Sequence, residues 1–119
     1  RIMVVLQHGK LSTTRFKNII RKQMKDTDWV FPICRGVERL RDENGIKLHP
    51  TQKPLKLIQQ VLLTASKKGD LILDAFMGSG TTAVVAKALN RNWVGIEKEK
   101  KYVELANKRI FNFLNKFLY

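Results

Sequence analysis

The stretch that decides the fold of this 119-residue chain reads Asp74-Ala75-Phe76-Met77-Gly78-Ser79-Gly80-Thr81-Thr82-Ala83. Its two glycines and Ala83 follow the G-x-G-x-x-G/A spacing, in which glycine permits positive φ angles and lets a ligand approach the backbone. The apolar run 71–73 before it is typical of a buried parallel strand, and an apolar helical pattern follows from Thr81. Because a helix start carries unpaired N–H groups, this turn predicts a ligand site.

A second acidic position supports that site. Residues 93–96 form another short apolar run, which ends at Glu97, 23 positions after Asp74. Dinucleotide-binding folds place a carboxylate at about this distance, where it accepts hydrogen bonds from ribose hydroxyls. Taken alone, Glu97 is better explained as a solvated acid favoured at a helix start. Together with the glycine turn at this spacing, it predicts a nucleoside site.

The pattern around the glycine turn predicts an α/β fold. A helix begins after Pro54 and ends near Ser66, and helices follow over 81–89 and 98–117. With strands at 71–73 and 93–96, this order predicts a right-handed βαβ unit extended by one helix. The N-terminal part predicts a strand over 2–6, an amphipathic helix with Phe16, Ile19, Ile20 and Met24 on one face, and an exposed loop over 35–47 with a turn at Asn44-Gly45.

Charge points to a polyanionic partner. The chain has 23 basic and 10 acidic residues, a net charge of +13. Residues 1–69 hold 15 basic and 5 acidic side chains, a net of +10, whereas residues 70–119 hold 8 and 5, a net of +3. Lysine and arginine displace condensed counterions from nucleic-acid phosphates, so the first half predicts a DNA-contacting face. Charge by itself is equally compatible with a small basic protein that merely stays soluble.

Composition excludes several other classes of function. Cys34 is the single cysteine, which rules out an internal disulfide and a multi-cysteine zinc site and suits a reducing cytoplasm. We interpret Cys34 as a packing residue and predict no metal site. No apolar run approaches the roughly 20 residues of a membrane span, and residues 2–6 are too short for a signal-peptide core. These features predict a cytoplasmic protein without a membrane partner.

Three ordered motifs resemble those of beta-class DNA amino-methyltransferases, the N6-adenine and N4-cytosine enzymes. The glycine stretch 74–82 resembles their cofactor loop, His49-Pro50-Thr51-Gln52-Lys53-Pro54 their preceding cofactor element, and Asn92-Trp93-Val94-Gly95-Ile96-Glu97 with Tyr102 the following one. The resemblance implies a partial Rossmann-like fold that depends on S-adenosyl-L-methionine. It divides the chain into a basic segment, 1–47, in or next to the DNA-recognition region, and a cofactor-binding α/β portion, 48–119.

The resemblance also implies residue roles. Phe76, Gly78, Ser79, Gly80 and Thr81 would surround the methionine part of the cofactor, Asp74 would lie near its amino group, and Glu97 would bind the ribose. Lys98 and Tyr102 would lie beside the adenine, although core packing explains Tyr102 nearly as well. Lys53 would reach the cofactor carboxylate. The implied cofactor-binding set comprises His49, Thr51, Gln52, Lys53, Asp74, Ala75, Phe76, Gly78, Ser79, Gly80, Thr81, Thr82, Glu97, Lys98 and Tyr102.

Residues 28–34 and 38–45 further resemble the cell-cycle-regulated adenine methyltransferases of GANTC sites and their restriction-system relatives. The implied function is transfer of a methyl group from S-adenosylmethionine to adenine N6 in double-stranded DNA, and cytosine N4 stays open because the cofactor motifs do not distinguish the bases. The basic side chains predicted to contact DNA are Arg15, Lys17, Arg21, Lys22, Arg35, Arg39 and Arg41.

One motif of the family is absent. These enzymes hold the flipped base with a D/N/S-P-P-Y/W/F tetrapeptide, whereas the prolines here are Pro32, Pro50 and Pro54, none adjacent to another. In the beta arrangement the tetrapeptide precedes the cofactor loop, so the chain resembles a C-terminal portion. We therefore assign no catalytic residue and predict that this chain alone is inactive. It would need an N-terminal half or a homodimer partner; the alternatives are a non-catalytic DNA-binding fragment and, more remotely, an NAD-binding protein.

Overall fold

The computed structural model describes residues 4–6 and 31–117 of the chain, with side chains over residues 31–113. The elements in chain order are β1 (Val4–Leu6), a short 3-10 helix (Gly36–Glu38), α1 (Leu55–Ala65), β2 (Leu71–Asp74), α2 (Thr81–Ala88), β3 (Asn92–Gly95) and α3 (Lys100–Phe117). The predicted helix around residues 16–24, and with it Arg15, Lys17, Arg21 and Lys22, lies outside the described residues.

The sheet places the ends of two parallel strands side by side. β2 is central, with β1 antiparallel on one side and β3 parallel on the other. The parallel register pairs Leu71 with Asn92 and Asp74 with Gly95, so the chain leaves both strands at the same edge. The predicted βαβ unit is thus confirmed, as is the α/β partial Rossmann-like fold, and in such sheets ligands bind beyond the carboxyl ends of the strands.

The core holds α2 from both sides. On one side, Ile58 and Leu62 of α1 pack with Ile72 of β2 against Val85 and Ala86. On the other, Ala106 and Ile110 of α3 pack with Met77 against Ala83 and Val84. Every residue from Thr81 to Ala86 is buried, in keeping with the small alanine, valine and threonine side chains of this part of the helix. The helix start at Thr81 is therefore fixed firmly relative to the sheet.

Side-chain hydrogen bonds hold together the segment that precedes α1. Within the predicted exposed loop, Arg41 and Lys47 form an antiparallel bridge around a turn in which Asp42 Oδ1 accepts from the N–H groups of Asn44 and Ile46. The buried Gln52 side chain accepts from the N–H of Leu40 and donates to the carbonyl of Glu38. Cys34 is buried with a free thiol whose pKa is raised by burial, in keeping with a packing role.

Candidate functional site

The glycine turn lies at the edge where β2 and β3 end. Gly78 and Gly80 have φ angles of +53° and +77°, the left-handed region that glycine adopts without strain. The turn is fastened to the next strand end, because Met77 N–H donates to the Ile96 carbonyl and Ile96 N–H donates to the Asp74 carbonyl, both at 2.9 Å. Two segments about 20 residues apart in the sequence are thus in direct contact.

Glu97 faces this turn as an ionised carboxylate. One oxygen accepts from Gly78 N–H and the other from Glu99 N–H, each at 2.9 Å. The N–H groups of Glu99 and Gly78 hold the pKa of Glu97 below its usual range, against a smaller opposing effect of burial. A carboxylate offers about four lone-pair sites, so two remain for other donors.

These groups surround a cavity of about 290 Å³, hereafter the glycine-loop cavity. Its volume is close to the lower end of the roughly 300–1,000 Å³ of small-molecule sites. The lining brings together the following predicted cofactor residues: His49, Thr51, Lys53, Asp74, Phe76, Gly78, Ser79, Thr81, Thr82 and Glu97. Ile58 and Met77 also line it and were not predicted, because their apolar side chains read as core residues in the sequence.

Five predicted cofactor residues are outside this lining: Gln52, Ala75, Gly80, Lys98 and Tyr102. Gln52 is occupied in holding residues 38–40. Lys98 is exposed. A Cβ added at Gly80 would lie 2.8 Å from the Ala106 Cβ, so the packing of α3 requires glycine at this position.

Tyr102 contacts His49, which lines the cavity. The two ring centroids are 4.4 Å apart at an interplanar angle of 57°. A Cβ added at Gly78 would meet His49 Nε2 at 2.8 Å, so the imidazole fits closely against the glycine turn. Its Nδ1 accepts from Thr51 N–H at 3.2 Å. Burial lowers the pKa of His49, with Arg39 and Lys53 acting in the same direction and Glu97 opposing them. The ring is therefore neutral near pH 7.

Arg109 of α3 is a site residue that the sequence interpretation missed. Its Nη1 donates to the Ser79 carbonyl at 3.2 Å, to Ser79 Oγ at 3.4 Å and to Thr81 Oγ1 at 2.8 Å. The sequence did offer one indication of its role. Residues 102, 106 and 110 lie on the inward-facing side of α3, and Arg109 is a charged residue next to them on that side. Burial lowers the pKa of Arg109, which nevertheless stays charged at neutral pH.

A second cavity carries the described basic residues of the N-terminal part. It measures about 590 Å³, and its lining contains Arg35, Arg39, Arg41, Lys47 and Lys53 without an Asp or Glu. We call it the basic groove. It shares Thr51 and Lys53 with the glycine-loop cavity, so the two are adjacent. Arg39 and Arg41 are partly engaged, since Arg39 Nη2 donates to the Pro50 carbonyl and Arg41 Nη1 to the Gly45 carbonyl, each at 2.6 Å. Arg35 and Arg41 are exposed.

Two other classes of site are absent from the described part of the chain. Residues 31–113 contain no group of three or more His, Cys, Asp or Glu side chains placed to hold a metal ion. None of the described helices combines the length and apolarity that crossing a bilayer requires.

An α/β unit with a glycine turn and an acid at neighbouring strand ends defines a nucleoside-binding class of protein. More narrowly, residues 5–108 match the model of the DNA methylase family, and the chain belongs to that family. It is 47% identical over 94 residues to the type II methyltransferase M.HinfI of Haemophilus influenzae, which covers 79% of this chain. The chain spans about a quarter of that protein's length, 26%.

Solved structures agree with this assignment. The complex of M1.HpyAVI with S-adenosylmethionine superposes with a TM-score of 0.59 at 30% identity, covering 91% of this chain and 44% of the solved one. The cytosine-N4-specific PvuII DNA methyltransferase gives a TM-score of 0.51 at 30% identity, covering 63% of this chain and 30% of the other. The family assignment made from the three motifs is thus confirmed, at the level of DNA methyltransferases.

Proposed function

We propose that this chain binds S-adenosylmethionine in the glycine-loop cavity and is the cofactor-binding part of a DNA adenine-N6 methyltransferase. The observation that carries the proposal is the convergence of the glycine turn, the ionised Glu97 and the His49–Lys53 segment around one cavity. All three come from motifs far apart in sequence. A βαβ unit alone would not require the third of them.

The charges of the cavity fit this cofactor better than a dinucleotide. Asp74 and Lys53 line the same cavity and match the ammonium and carboxylate of the methionine part. The two unused lone-pair sites of Glu97 match two ribose hydroxyls. NAD would instead bring an anionic pyrophosphate to the glycine turn, close to the Asp74 carboxylate, an arrangement that like-charge repulsion disfavours.

DNA is the proposed substrate, and the basic groove is its proposed contact surface in the described residues. The bound cofactor supplies a methyl group on a sulfonium, and the target base has to leave the stack to reach it. The groove adjoins the cofactor cavity at Thr51 and Lys53, where a strand carrying an extruded base would pass. Phosphates would be bound there by Arg35 and Arg41, both exposed.

The target base and the biological context are part of the same proposal. The likeness of residues 28–45 to the GANTC adenine enzymes supports adenine N6, while the structural likeness to the PvuII enzyme keeps cytosine N4 as the second candidate. The base-holding tetrapeptide is not in this sequence, so an N-terminal half or a second subunit would supply the base pocket. The single buried thiol supports action in the cytoplasm.

The test of the cofactor assignment is calorimetric titration of the 119-residue chain with S-adenosylmethionine and, separately, with NAD. We expect Glu97→Gln to weaken S-adenosylmethionine binding by about tenfold or more, because hydrogen bonds to a charged acceptor contribute roughly 1.5–3 kcal/mol each. Glu104→Gln, an exposed carboxylate on α3, is the matched control. Equal weakening by both variants, or tighter binding of NAD, contradicts the assignment.

The target base is tested separately with a supplied N-terminal half and labelled cofactor on duplex DNA. Recovery of N6-methyladenine in the digested product supports the proposal, and recovery of N4-methylcytosine selects the second candidate. DNA binding without methyl transfer under these conditions would instead favour a non-catalytic DNA-binding fragment.

A further inference from the structure

Arg109 lies behind the glycine-loop cavity rather than in it. The guanidinium comes from α3, and its three hydrogen bonds end on Ser79 and Thr81, which both line the cavity and are themselves 3% and 5% exposed. Within residues 31–113, the one ion pair joins Lys100 to Glu104, so no carboxylate bridges Arg109 directly, although the charge of Glu38 stabilises its protonated form. A half-buried cation thus bonds directly to two residues that line the ligand space.

The hydrogen-bond directions have a consequence for the two hydroxyls. A hydroxyl has one proton and two lone pairs, and a guanidinium only donates. Because Arg109 Nη1 donates to Thr81 Oγ1 at 2.8 Å, the Thr81 proton has to point elsewhere. Its partner is the Lys53 carbonyl, to which Thr81 Oγ1 donates at 3.3 Å, a long bond that a closer acceptor in the cavity would replace. Ser79 Oγ likewise accepts from Arg109, at 3.4 Å, so its proton is also directed away from the guanidinium.

We propose that Arg109 is a positioning residue that holds the Ser79 and Thr81 hydroxyls as donors toward the cavity, where they receive the carboxylate of the amino-acid part of the ligand. This rests on the proposed function, since it names the part of S-adenosylmethionine that these hydroxyls recognise. A donor that is itself bonded to a cation is polarised and forms a stronger bond to an anion. Lys53 lines the same cavity and adds a cation on its exposed side.

The geometry separates this role from recognition of the nucleoside. Glu97, which is proposed to bind the ribose, is fastened by the N–H groups of Gly78 and Glu99. Arg109 bonds neither of those residues, so its loss should affect the carboxylate end of the ligand and spare the nucleoside end. A residue that served only to keep the fold together would weaken both ends alike.

The experiment compares two ligands by calorimetry on the 119-residue chain: S-adenosylhomocysteine, which has the carboxylate, and 5′-methylthioadenosine, which lacks it. We expect Arg109→Met to weaken S-adenosylhomocysteine binding by about tenfold or more and 5′-methylthioadenosine binding by less than about twofold. Arg109→Lys, which keeps the charge, should restore part of the loss. Lys108→Met, the exposed neighbouring cation on α3, is the matched control and should change neither affinity.

A second pair of variants removes the hydroxyl partners of Arg109 instead of the guanidinium. Ser79→Ala and Thr81→Val remove the hydroxyls while Arg109 stays, and should show the same selective loss even if Arg109→Met does not fold. Equal loss of both ligands, or no loss of S-adenosylhomocysteine binding in these variants, overturns the role of Arg109. Failure of the unchanged chain to bind S-adenosylmethionine overturns the proposed function, and this inference with it.

Discussion

Substitution of Gly80 should reduce the stability of the fold for two separate reasons, one conformational and one of packing. Its φ of +77° disfavours any residue with a Cβ, and an added Cβ would lie 2.8 Å from the Ala106 Cβ and 3.2 Å from the Ala106 Cα. The left-handed conformation costs an L-residue roughly 1–2 kcal/mol, and overpacking costs about 1–3 kcal/mol more. We therefore expect Gly80→Ala to lower the free energy of unfolding by about 2–5 kcal/mol.

Gly69 provides a matched control for the conformational part. Its φ is +88°, and a Cβ added there meets nothing within 4 Å. Gly69→Ala should therefore show the roughly 1–2 kcal/mol of the left-handed conformation alone. Urea unfolding of both variants, followed by circular dichroism, measures the difference as the packing cost against α3.

Ala106→Gly tests the contact from the opposite side. By itself it should cost about 1 kcal/mol for the helix-interior difference between glycine and alanine, and roughly 0.8 kcal/mol more for loss of the buried methyl group. Combined with Gly80→Ala, it removes the 2.8 Å contact, so the double variant should be less destabilised than the sum of the singles by about 0.5–3 kcal/mol. Additive effects, or a Gly80→Ala variant no less stable than Gly69→Ala, would refute the assignment of Gly80 to helix packing.

Three further outcomes are expected. Since burial lowers the pKa of His49, the unfolded chain takes up a proton at higher pH than the folded one, so the unfolding free energy should decline as pH falls below about 6.5. His49→Gln should remove that part of the decline, measured by urea titrations at pH 7.5 and 5.5. The same pH dependence of the unfolding free energy in the variant would contradict this expectation. The double variant Arg35→Ala with Arg41→Ala should weaken duplex binding, measured by fluorescence anisotropy. The slope of log affinity against log salt concentration should fall by roughly 0.9 for each phosphate that is no longer neutralised. Lys67→Ala, which removes an exposed cation before the opposite end of β2, should change neither quantity. The 119-residue chain alone should transfer no labelled methyl group to duplex DNA. Alignment of the base accounts for roughly 7–11 kcal/mol of such a barrier, and the tetrapeptide that holds the base is absent from this sequence. Turnover by the purified chain without an added N-terminal half would disprove this prediction.

The local elements of the α/β unit follow from the sequence because their signals are local. The apolar stripe after Pro54 predicted α1, and the runs before Asp74 and Glu97 predicted β2 and β3 to within a residue or two. α3 begins at Lys100 rather than Lys98, since the Glu97 carboxylate binds the N–H of Glu99, and Glu99 in turn accepts the first helical hydrogen bonds. Side-chain capping of this kind leaves only a weak trace in a sequence.

The family was also determined by sequence, because three spaced motifs coincide, and the same motifs predicted most of the residues that line the glycine-loop cavity. Spacing placed Asp74 and Glu97 at neighbouring strand ends, and the parallel register brings them to one edge. What only the tertiary structure decided is how α3 supports that edge. Tyr102 packs on His49, Ala106 requires Gly80 to be glycine, and Arg109 binds Ser79 and Thr81. These contacts join residues roughly 26–53 positions apart, and no local periodicity encodes them, because they depend on how α3 packs across the glycine turn.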